Sequence, residues 1–381
     1  MDEIYLDNIA TTRVNEKVSK VISDSLLINY GNPGSPHWIG EKAFKEMTRV
    51  RVEVAIEIGC KAHEIVFTSG ATESNNLALQ GVFMANKNKK NKIIISEIEH
   101  PSISKVCDFL AENGAVIKRI GVDSEGFVNL KELENEIDSK TLVVSIMHVN
   151  NIFGTIQKLR EIGKICKKKG VLFHTDAVQG FGKLNINVRD LGIDMFTASG
   201  HKICAGKGIG FLYIGEDVKI SPLIVGGGQE MGFRSGTENV PGIVGFGKAL
   251  ELVKKKDWRK VEKTRDLFIS ELEKIGGRIN GVKGKNRIFN NIHVSFVENE
   301  NLKKEWSSED LIYRLSQKGI YVSAGSACNL KKANEDLILK AIGLKDKEIM
   351  KSIRIGLWDE LSDKKVEEIV KKIDKLIKGF D

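Results

Sequence analysis

The chain has 381 residues, of which 41% are hydrophobic and 29% are charged, and its formal net charge is +8. These values indicate a globular protein with room for two domains. The longest apolar stretches, such as residues 142–149, are about as long as one strand, which excludes a membrane-spanning protein.

The positive charge and the cysteines limit the possible partners. A basic surface can bind RNA or an acidic protein, but lysines on helix surfaces can also simply be solvated. We favour solvated lysines and expect no direct nucleic-acid binding, because no basic segment is interleaved with aromatic residues. The five cysteines include no C-x-x-C pair, and the acidic start differs from a signal peptide, so we expect free thiols in a cytoplasmic protein.

Short apolar runs alternate with amphipathic segments over the first part of the chain. The pattern predicts strands over residues 64–68, 92–96, 115–120, 142–148, 171–176, 195–198 and 210–214, and helices over 72–85, 102–113 and 159–169. Strands that alternate with helices in this way indicate an α/β fold, in which helices cover a mostly parallel sheet.

The pattern changes after residue 241. A helical pattern runs with little interruption over 241–275, and strands at 291–296, 320–323 and 352–357 then alternate with helices at 310–318, 335–342 and 363–378. These elements predict a second, smaller α+β domain. We expect a large domain over 15–257 and a small domain formed by 1–14 and 258–381.

Polar residues at the carboxyl ends of the predicted strands are the first candidates for a site, because ligands bind there in α/β sheets. After the strand that ends at Thr68, small residues lead into a helix, whose free N–H groups can hold a phosphate. An ordinary capped turn has the same pattern. Asp176 ends another strand, where a carboxylate can hold a pyridinium nitrogen protonated or can cap a helix.

Lys202 follows the strand at 195–198 and a turn of small residues. A lysine that loses its proton in a partly dry cavity can form a Schiff base with an aldehyde cofactor. Asn151 and His100 follow two other strands. An amide can bond a phenolic oxygen, and an imidazole can stack on a ring or move protons, although a lone histidine is more often structural.

Two residues of the predicted small domain are also candidates for the functional site. Cys328 lies among small residues at the head of a polar stretch, whereas a structural cysteine normally lies in an apolar run. Arg354 lies in an apolar strand and therefore needs a carboxylate partner, for which its planar guanidinium is well suited.

Taken together and in this order, these residues resemble the cysteine desulfurases of the NifS/IscS type, group I. The resemblance spans nearly the whole chain. Its strongest parts are the segments at 68–76, 174–179, 199–202, 234–237 and 325–328. It implies a pyridoxal-5′-phosphate enzyme of fold type I in the aminotransferase class-V family, a homodimer with the active site at the subunit interface and a large domain built on a seven-stranded, mostly parallel sheet.

The resemblance also implies a role for each candidate residue. The phosphate would be held by Ala71, Thr72, Ser199 and His201, together with Thr237 from the partner subunit. The pyridine nitrogen would pair with Asp176, and the ring oxygen would bond Gln179 and Asn151. Lys202 would hold the cofactor, and His100 would stack on it and move protons. Arg354 and Asn151 would bind the substrate.

The implied reaction converts L-cysteine to L-alanine and leaves the sulfur on Cys328 as a persulfide. The implied sulfur acceptor is an iron–sulfur scaffold or a tRNA-thiolation protein. The chain departs from the family pattern at Ile9, at Ile152 and over the segment 204–207, which begins with Cys204. We interpret Cys204 as a packing residue, although its place near Lys202 leaves a second reactive thiol open.

Two other functions remain open at this point. The first is another pyridoxal-phosphate enzyme, either a selenocysteine lyase or an aminotransferase, although an aminotransferase has no use for a thiol at Cys328. The second is a scaffold that supplies Cys328 as a transient ligand of an iron–sulfur cluster. The presence of Lys202 favours an enzyme over a scaffold.

Overall fold

The structure is a computed structural model that describes residues 3–296, 306–324 and 332–379, with side chains from residue 336 onward in the last segment. Its strands, in chain order, are β1 (Ile4–Tyr5), β2 (Ile65–Thr68), β3 (Lys92–Ser96), β4 (Val116–Ile120), β5 (Thr141–Ser145), β6 (Leu172–Asp176), β7 (Met195–Ser199), β8 (Gly210–Ile214), β9 (Arg278–Ile279), β10 (Asn291–Ser295), β11 (Ile320–Tyr321), β12 (Ser323–Ala324) and β13 (Ser352–Gly356).

The helices cover both sheets and the N-terminal region. They are α1 (Glu16–Ile28), α2 (Trp38–Ile58), α3 (Ala71–Asn86), α4 (Pro101–Glu112), α5 (Leu130–Glu136), α6 (Leu159–Lys169), α7 (Val188–Leu191), α8 (Val240–Lys254), α9 (Trp258–Lys274), α10 (Ser308–Gln317), α11 (Lys332–Ala341), α12 (Asp346–Met350) and α13 (Asp363–Ile377). Within the described residues, we find no helix with the length and apolar content that crossing a bilayer requires.

Seven strands form one sheet in the order β2-β8-β7-β6-β5-β3-β4, in which β8 runs opposite to the other six strands. Successive side chains of β3 belong to opposite faces, because Ile93 and Ile95 join one apolar cluster while Ile94 joins another. Helices therefore pack on both faces. The predicted α/β class and the mostly parallel sheet are confirmed.

A second, four-stranded antiparallel sheet has the order β12-β13-β10-β9, and β1 pairs with β11 beside it. The apolar residues of this region form their own cluster, which includes Phe268, Ile292 and Ile355. Leu6, from the N-terminal segment, belongs to the same cluster. This distribution supports the proposed domain bounds at residues 15 and 257, which stay a prediction.

The helical pattern expected over 241–275 consists of two helices, α8 and α9, with a break at residues 255–257. The side chain of Asp257 accepts a hydrogen bond from the backbone of Arg259 and starts the new helix. Buried residues of α8, such as Phe246, belong to the core of the large sheet, whereas those of α9, such as Phe268, belong to the core of the small one. The break lets the chain change cores.

Two strands are also shorter than expected. The strand expected over 142–148 ends at Ser145, after which the backbone of Met147 donates to the side chain of Glu99 and that of His148 to the carbonyl of Asp176. The strand expected over 320–323 is two strands, because β11 pairs with β1 and β12 pairs with β13. Residues 16–58, for which we expected no elements, form α1 and α2.

Candidate active site

A cavity of about 570 Å³ opens at the carboxyl edge of the large sheet and reaches the small sheet. Its lining comes from four places: the N-terminal segment, the turn before α3, the ends of the parallel strands and strand β13. The residues that line it are Ile9, Ala10, Thr11, Ser69, Gly70, Ala71, Thr72, Glu73, His100, Ser102, Met147, Val149, Asn151, Asp176, Val178, Gln179, Ser199, His201, Lys202, Lys207, Gly208 and Arg354. Of the predicted site residues that the structure describes, the cavity thus contains all except Thr237.

Lys202 lies just after β7, in a short 3₁₀ turn, and its Nζ donates to the carbonyl oxygens of Ile9 and Ala10 at 2.6 Å each. Burial, together with the nearby cations Arg354 and Lys183, lowers the pKa of this amine to about 7. A neutral amine is a nucleophile and a base, so Lys202 is prepared for covalent chemistry near neutral pH.

Asp176 ends β6 and is buried beside the same cavity. Its Oδ2 accepts from the side-chain amide of Asn75 at 2.9 Å, and its Oδ1 accepts from the backbone of Val178 at 3.1 Å. These donors stabilise a charged carboxylate that would otherwise be costly to bury. Asp176 can therefore present negative charge to a cationic ring nitrogen.

The turn before α3 has the features of an anion site. Gly70 has φ 148°, a conformation that favours glycine, and no side chain caps the helix that follows it. The first backbone N–H groups of α3 are thus free to bind an anion. Ser199 and His201 line the cavity beside this turn, where burial lowers the pKa of His201 to about 4.

Glycine is also required opposite this turn, at the start of β8. A Cβ on Gly210 would lie 2.6 Å from the carbonyl oxygen of Ala198 and 2.7 Å from Cα of Gly70. β8 can therefore approach the turn at Gly70 this closely only because Gly210 has no side chain. A glycine at the start of a strand is not distinctive by itself, so the sequence gives no signal for this position.

His100 caps the N-terminus of α4 with its own ring: Nδ1 accepts from the backbone N–H of Ser102 at 3.1 Å. Burial lowers the pKa of the imidazole, the Lys202 charge adds to this, and Asp176 acts in the opposite direction. The ring therefore stays neutral at physiological pH. It lines the cavity with Lys202 and Asp176.

Arg354 reaches the cavity from the middle of β13. Its guanidinium donates to the carbonyl oxygen of Asn151 at 3.2 Å, and to Ser323 Oγ at 3.1 Å and Asp7 Oδ1 at 3.3 Å. Its Nε and the side-chain oxygen of Asn151 are buried without a partner among the described residues. These polar atoms leave hydrogen-bonding capacity for a ligand.

Gln179 lies in the turn after β6, and its Nε2 donates to the carbonyl oxygen of Ile9 at 3.0 Å. The side chain of the buried Lys183 contacts it from behind, at 3.1 Å from the Gln179 carbonyl and 3.4 Å from Oε1. Burial lowers the pKa of Lys183 to about 7. Sequence reasoning missed Lys183, because a lysine in a Lys-rich chain gives no signal that it is buried.

Two predicted site residues are not among those that line this cavity in the described part of the chain. Cys328 is outside the described residues, so its predicted roles as nucleophile and as a transient iron–sulfur ligand stay predictions. Among the described residues, we find no group of three or more side chains suited to hold a metal ion. Thr237 is exposed and does not line the cavity, and its assignment to the partner subunit's site also stays a prediction.

Cys204 lies two residues after Lys202, half-buried, with a positive φ of 63°. Its backbone N–H bonds Thr12 Oγ1 at 2.8 Å, and burial raises the pKa of its thiol. A raised pKa reduces the thiolate that a reactive cysteine needs. These observations favour the packing role over a second reactive thiol.

The fold and the cavity are those of an enzyme with a buried lysine of lowered pKa at the carboxyl edge of an α/β sheet. Residues 4–369 match the model of the family described as aminotransferase class-V. A protein of Dictyoglomus turgidum named "Cysteine desulfurase IscS" is 40% identical over 95% of this chain and 91% of its own length.

Two solved structures agree with this relationship. One, named "NIFS-LIKE PROTEIN", is 37% identical, covers 98% of this chain and 99% of its own, and superposes with a TM-score of 0.90. Another, named "SspA in complex with cysteine", is 32% identical over 94% of this chain and all of its own, with a TM-score of 0.82. The chain belongs to the cysteine desulfurases of the aminotransferase class-V family.

Proposed function

We propose that the protein uses pyridoxal 5′-phosphate to convert L-cysteine to L-alanine and collects the sulfur on Cys328 as a persulfide. The observation that carries this proposal is the cavity that joins the neutral amine of Lys202 to the carboxylate of Asp176 and the guanidinium of Arg354. Its relatives named cysteine desulfurase support the choice of substrate.

The residues of the cavity fit this cofactor. The free N–H groups after Gly70 and the side chains of Ser199 and His201 suit its phosphate, with Ala71 and Thr72 in the first turn of α3. The unpartnered oxygen of Asn151 leaves a polar atom for a bound ligand.

The residues proposed to contact the ring of the cofactor line the same cavity. Asp176 would hold the pyridine nitrogen, Gln179 and Asn151 the ring oxygen, and His100 would lie against the ring. When bound, the cofactor withdraws electrons and stabilises negative charge at the carbon that carries the substrate amine.

The protein's own residues would then carry out the remaining steps. Arg354 binds the substrate carboxylate with the hydrogen-bonding capacity that its present partners leave free. Lys202, once released, takes the proton from Cα of the substrate, because its amine is neutral near pH 7.

Sulfur transfer requires a thiolate at Cys328. Its sulfur attacks the sulfur of the substrate, so that an S–S bond forms while the C–S bond breaks. The electron pair of the C–S bond stays on the substrate carbon, which takes up a proton and becomes the methyl group of alanine. We propose that an acceptor protein, either an iron–sulfur scaffold or a tRNA-thiolation enzyme, then removes the persulfide sulfur, and that the enzyme is a cytoplasmic homodimer.

The test is to incubate the purified protein, loaded with pyridoxal phosphate, with L-cysteine and to measure alanine and protein-bound persulfide. We expect both products, and a loss of at least about 100-fold in Cys328→Ser. Cys60→Ser is the matched control, because Cys60 lies at the end of α2 and does not line the cavity. Amino transfer to a 2-oxo acid without sulfur release would instead identify an aminotransferase.

A further inference from the structure

The first turn of α4 fixes the proton of the His100 ring. The backbone N–H of Ser102 donates to His100 Nδ1 at 3.1 Å. A backbone N–H can only donate, so Nδ1 must offer a lone pair. In a neutral imidazole, the single ring proton is then on the other nitrogen, Nε2.

A second donor reaches the same ring nitrogen. Ser102 Oγ lies 2.8 Å from His100 Nδ1, and the side-chain amide of Asn75 donates to Ser102 Oγ at 2.8 Å. Because Nδ1 has no proton and Oγ accepts from Asn75, the Ser102 hydroxyl donates to the ring. The same amide nitrogen of Asn75 uses its other hydrogen for Asp176, at 2.9 Å.

These contacts form one buried chain of hydrogen bonds. It runs from Asp176, which is proposed to hold the ring nitrogen of the cofactor, to His100, which is proposed to stack on that ring. Asn75 is fully buried and Ser102 is 7% exposed, so water does not compete for the contacts. Each donor hydrogen in the chain has a defined acceptor. The arrangement is consistent with only one tautomer of the ring.

We propose that Ser102 and Asn75 are positioning residues that hold His100 with its ring proton on Nε2, so that His100 acts in the cavity as a hydrogen-bond donor and not as a proton acceptor. The proposal deepens the proposed function and rests on it for the identity of the reaction. It restricts the proton-moving role that the family resemblance implies for this histidine.

The charges around His100 favour the neutral ring. Burial opposes a second proton on the ring, as Lys202 does whenever its amine is protonated, while the carboxylate of Asp176 favours one. His201 also interacts with His100 and has its own pKa lowered to about 4, so it adds no positive charge near neutral pH. Glu99, the preceding residue, is buried, and burial raises its pKa to about 8, which leaves it largely uncharged.

One consequence concerns the attacking thiol. In the neutral ring, Nε2 has a proton and the lone pair of Nδ1 is engaged by two donors, so neither nitrogen can take the thiol proton. This proton must therefore leave to another group before Cys328 attacks.

The direct test is ¹⁵N NMR of the protein with labelled histidines, with and without the cofactor, and with the His100 signals assigned by His100→Gln. We expect a protonated Nε2 and an unprotonated Nδ1 from about pH 7 to about pH 9. A proton on Nδ1, or a second protonation within this range, would overturn the proposal. The result does not depend on turnover, so it stands or fails separately from the proposed function.

Substitutions test the positioning residues. The Ser102 hydroxyl bonds the neutral ring, so Ser102→Ala should raise the protonation midpoint of His100. Ser104→Ala, two residues further along α4 and outside the chain of hydrogen bonds, should leave the midpoint unchanged. An unchanged midpoint in Ser102→Ala would contradict the role of Ser102.

Kinetics separate a donor from a proton acceptor. His100→Gln retains an N–H donor but cannot titrate, whereas His100→Ala retains neither. We expect kcat for alanine formation to fall about 100-fold in His100→Ala and no more than about tenfold in His100→Gln. Equal losses in the two variants would show that His100 must accept a proton, and would overturn the proposal even if the protein releases sulfur from L-cysteine.

Discussion

The two sheets contribute to the cavity in different ways. The large sheet places Lys202, His100 and Asp176 where parallel strands end, and their positions follow from the direction of the strands. The small sheet places Arg354 in the middle of an antiparallel strand, where it contacts Asp7 from the N-terminal segment. The large sheet thus supplies the groups proposed for chemistry, and the small sheet supplies the group proposed for substrate binding.

The largest loss of activity should come from a substitution at a residue that the large sheet places in the cavity. We expect Lys202→Ala to lower kcat for alanine formation by about 10⁴-fold or more, because the variant loses both the covalent attachment and the base. Borohydride should fix the cofactor to the wild-type protein and not to this variant. Retention of borohydride-fixed cofactor by Lys202→Ala would show that another lysine, such as the buried Lys183, holds it.

A substitution in the small sheet should affect binding more than chemistry. We expect Arg354→Lys to raise KM for L-cysteine by about 10- to 100-fold, because a bidentate contact with the carboxylate is lost, and to change kcat less. Arg278→Lys is the control, since Arg278 lies on β9 of the same sheet and pairs with Glu348. A fall in kcat as large as that of Lys202→Ala would remove the distinction between the two sheets.

The same contrast explains what the sequence could predict. Parallel strands were recognisable as short apolar runs, and the residue after each run lies at the site, as Lys202 and Asp176 do. Arg354 was recognisable only as a charge in an apolar strand, and its partners Asp7 and Ser323 come from distant parts of the chain. Contacts of this kind depend on tertiary packing, which no local pattern contains.

Local sequence patterns also failed to identify polar residues that act by positioning other residues. Ser102 and Asn75 are ordinary helix residues in the sequence, and only the packing of α3 against α4 brings Asn75 to Ser102 at 2.8 Å. The break between α8 and α9 could not be placed from the sequence because it contains no glycine or proline, and Asp257 alone marks the new start. The sequence therefore indicated the residues proposed to touch the cofactor better than those that support them.

Lys183, buried behind Gln179, should affect stability rather than turnover. Its pKa is about 7 in the folded protein and near 10.5 when unfolded, so the unfolded chain binds more protons between these values and stability rises with pH. We expect Lys183→Met to stabilise the cofactor-free protein by roughly 2 to 4 kcal/mol at pH 7. The gain should shrink toward pH 10, as measured by denaturant unfolding.

The control for this prediction is Lys20→Met, since Lys20 is exposed on α1. It should change stability by less than about 0.5 kcal/mol at either pH. Destabilisation by Lys183→Met at pH 7 would show that its hydrogen bonds to Gln179 outweigh the cost of burying the charge.

The smallest expected effect is that of the Lys183 charge on the pKa of the other buried lysine, Lys202. Only the neutral amine of Lys202 can attach the cofactor, so the rate at which the cofactor-free protein captures pyridoxal phosphate should rise with pH around a midpoint near 7. Lys183 is one of the cations that lower the pKa of Lys202, and Lys183→Met should therefore move this midpoint to higher pH. Absorbance changes after mixing measure the rate, and Lys20→Met should leave the midpoint unchanged. A midpoint that stays fixed or moves to lower pH in Lys183→Met would mean that Lys183 does not help to keep Lys202 neutral, and that burial and the Arg354 charge from the small sheet suffice.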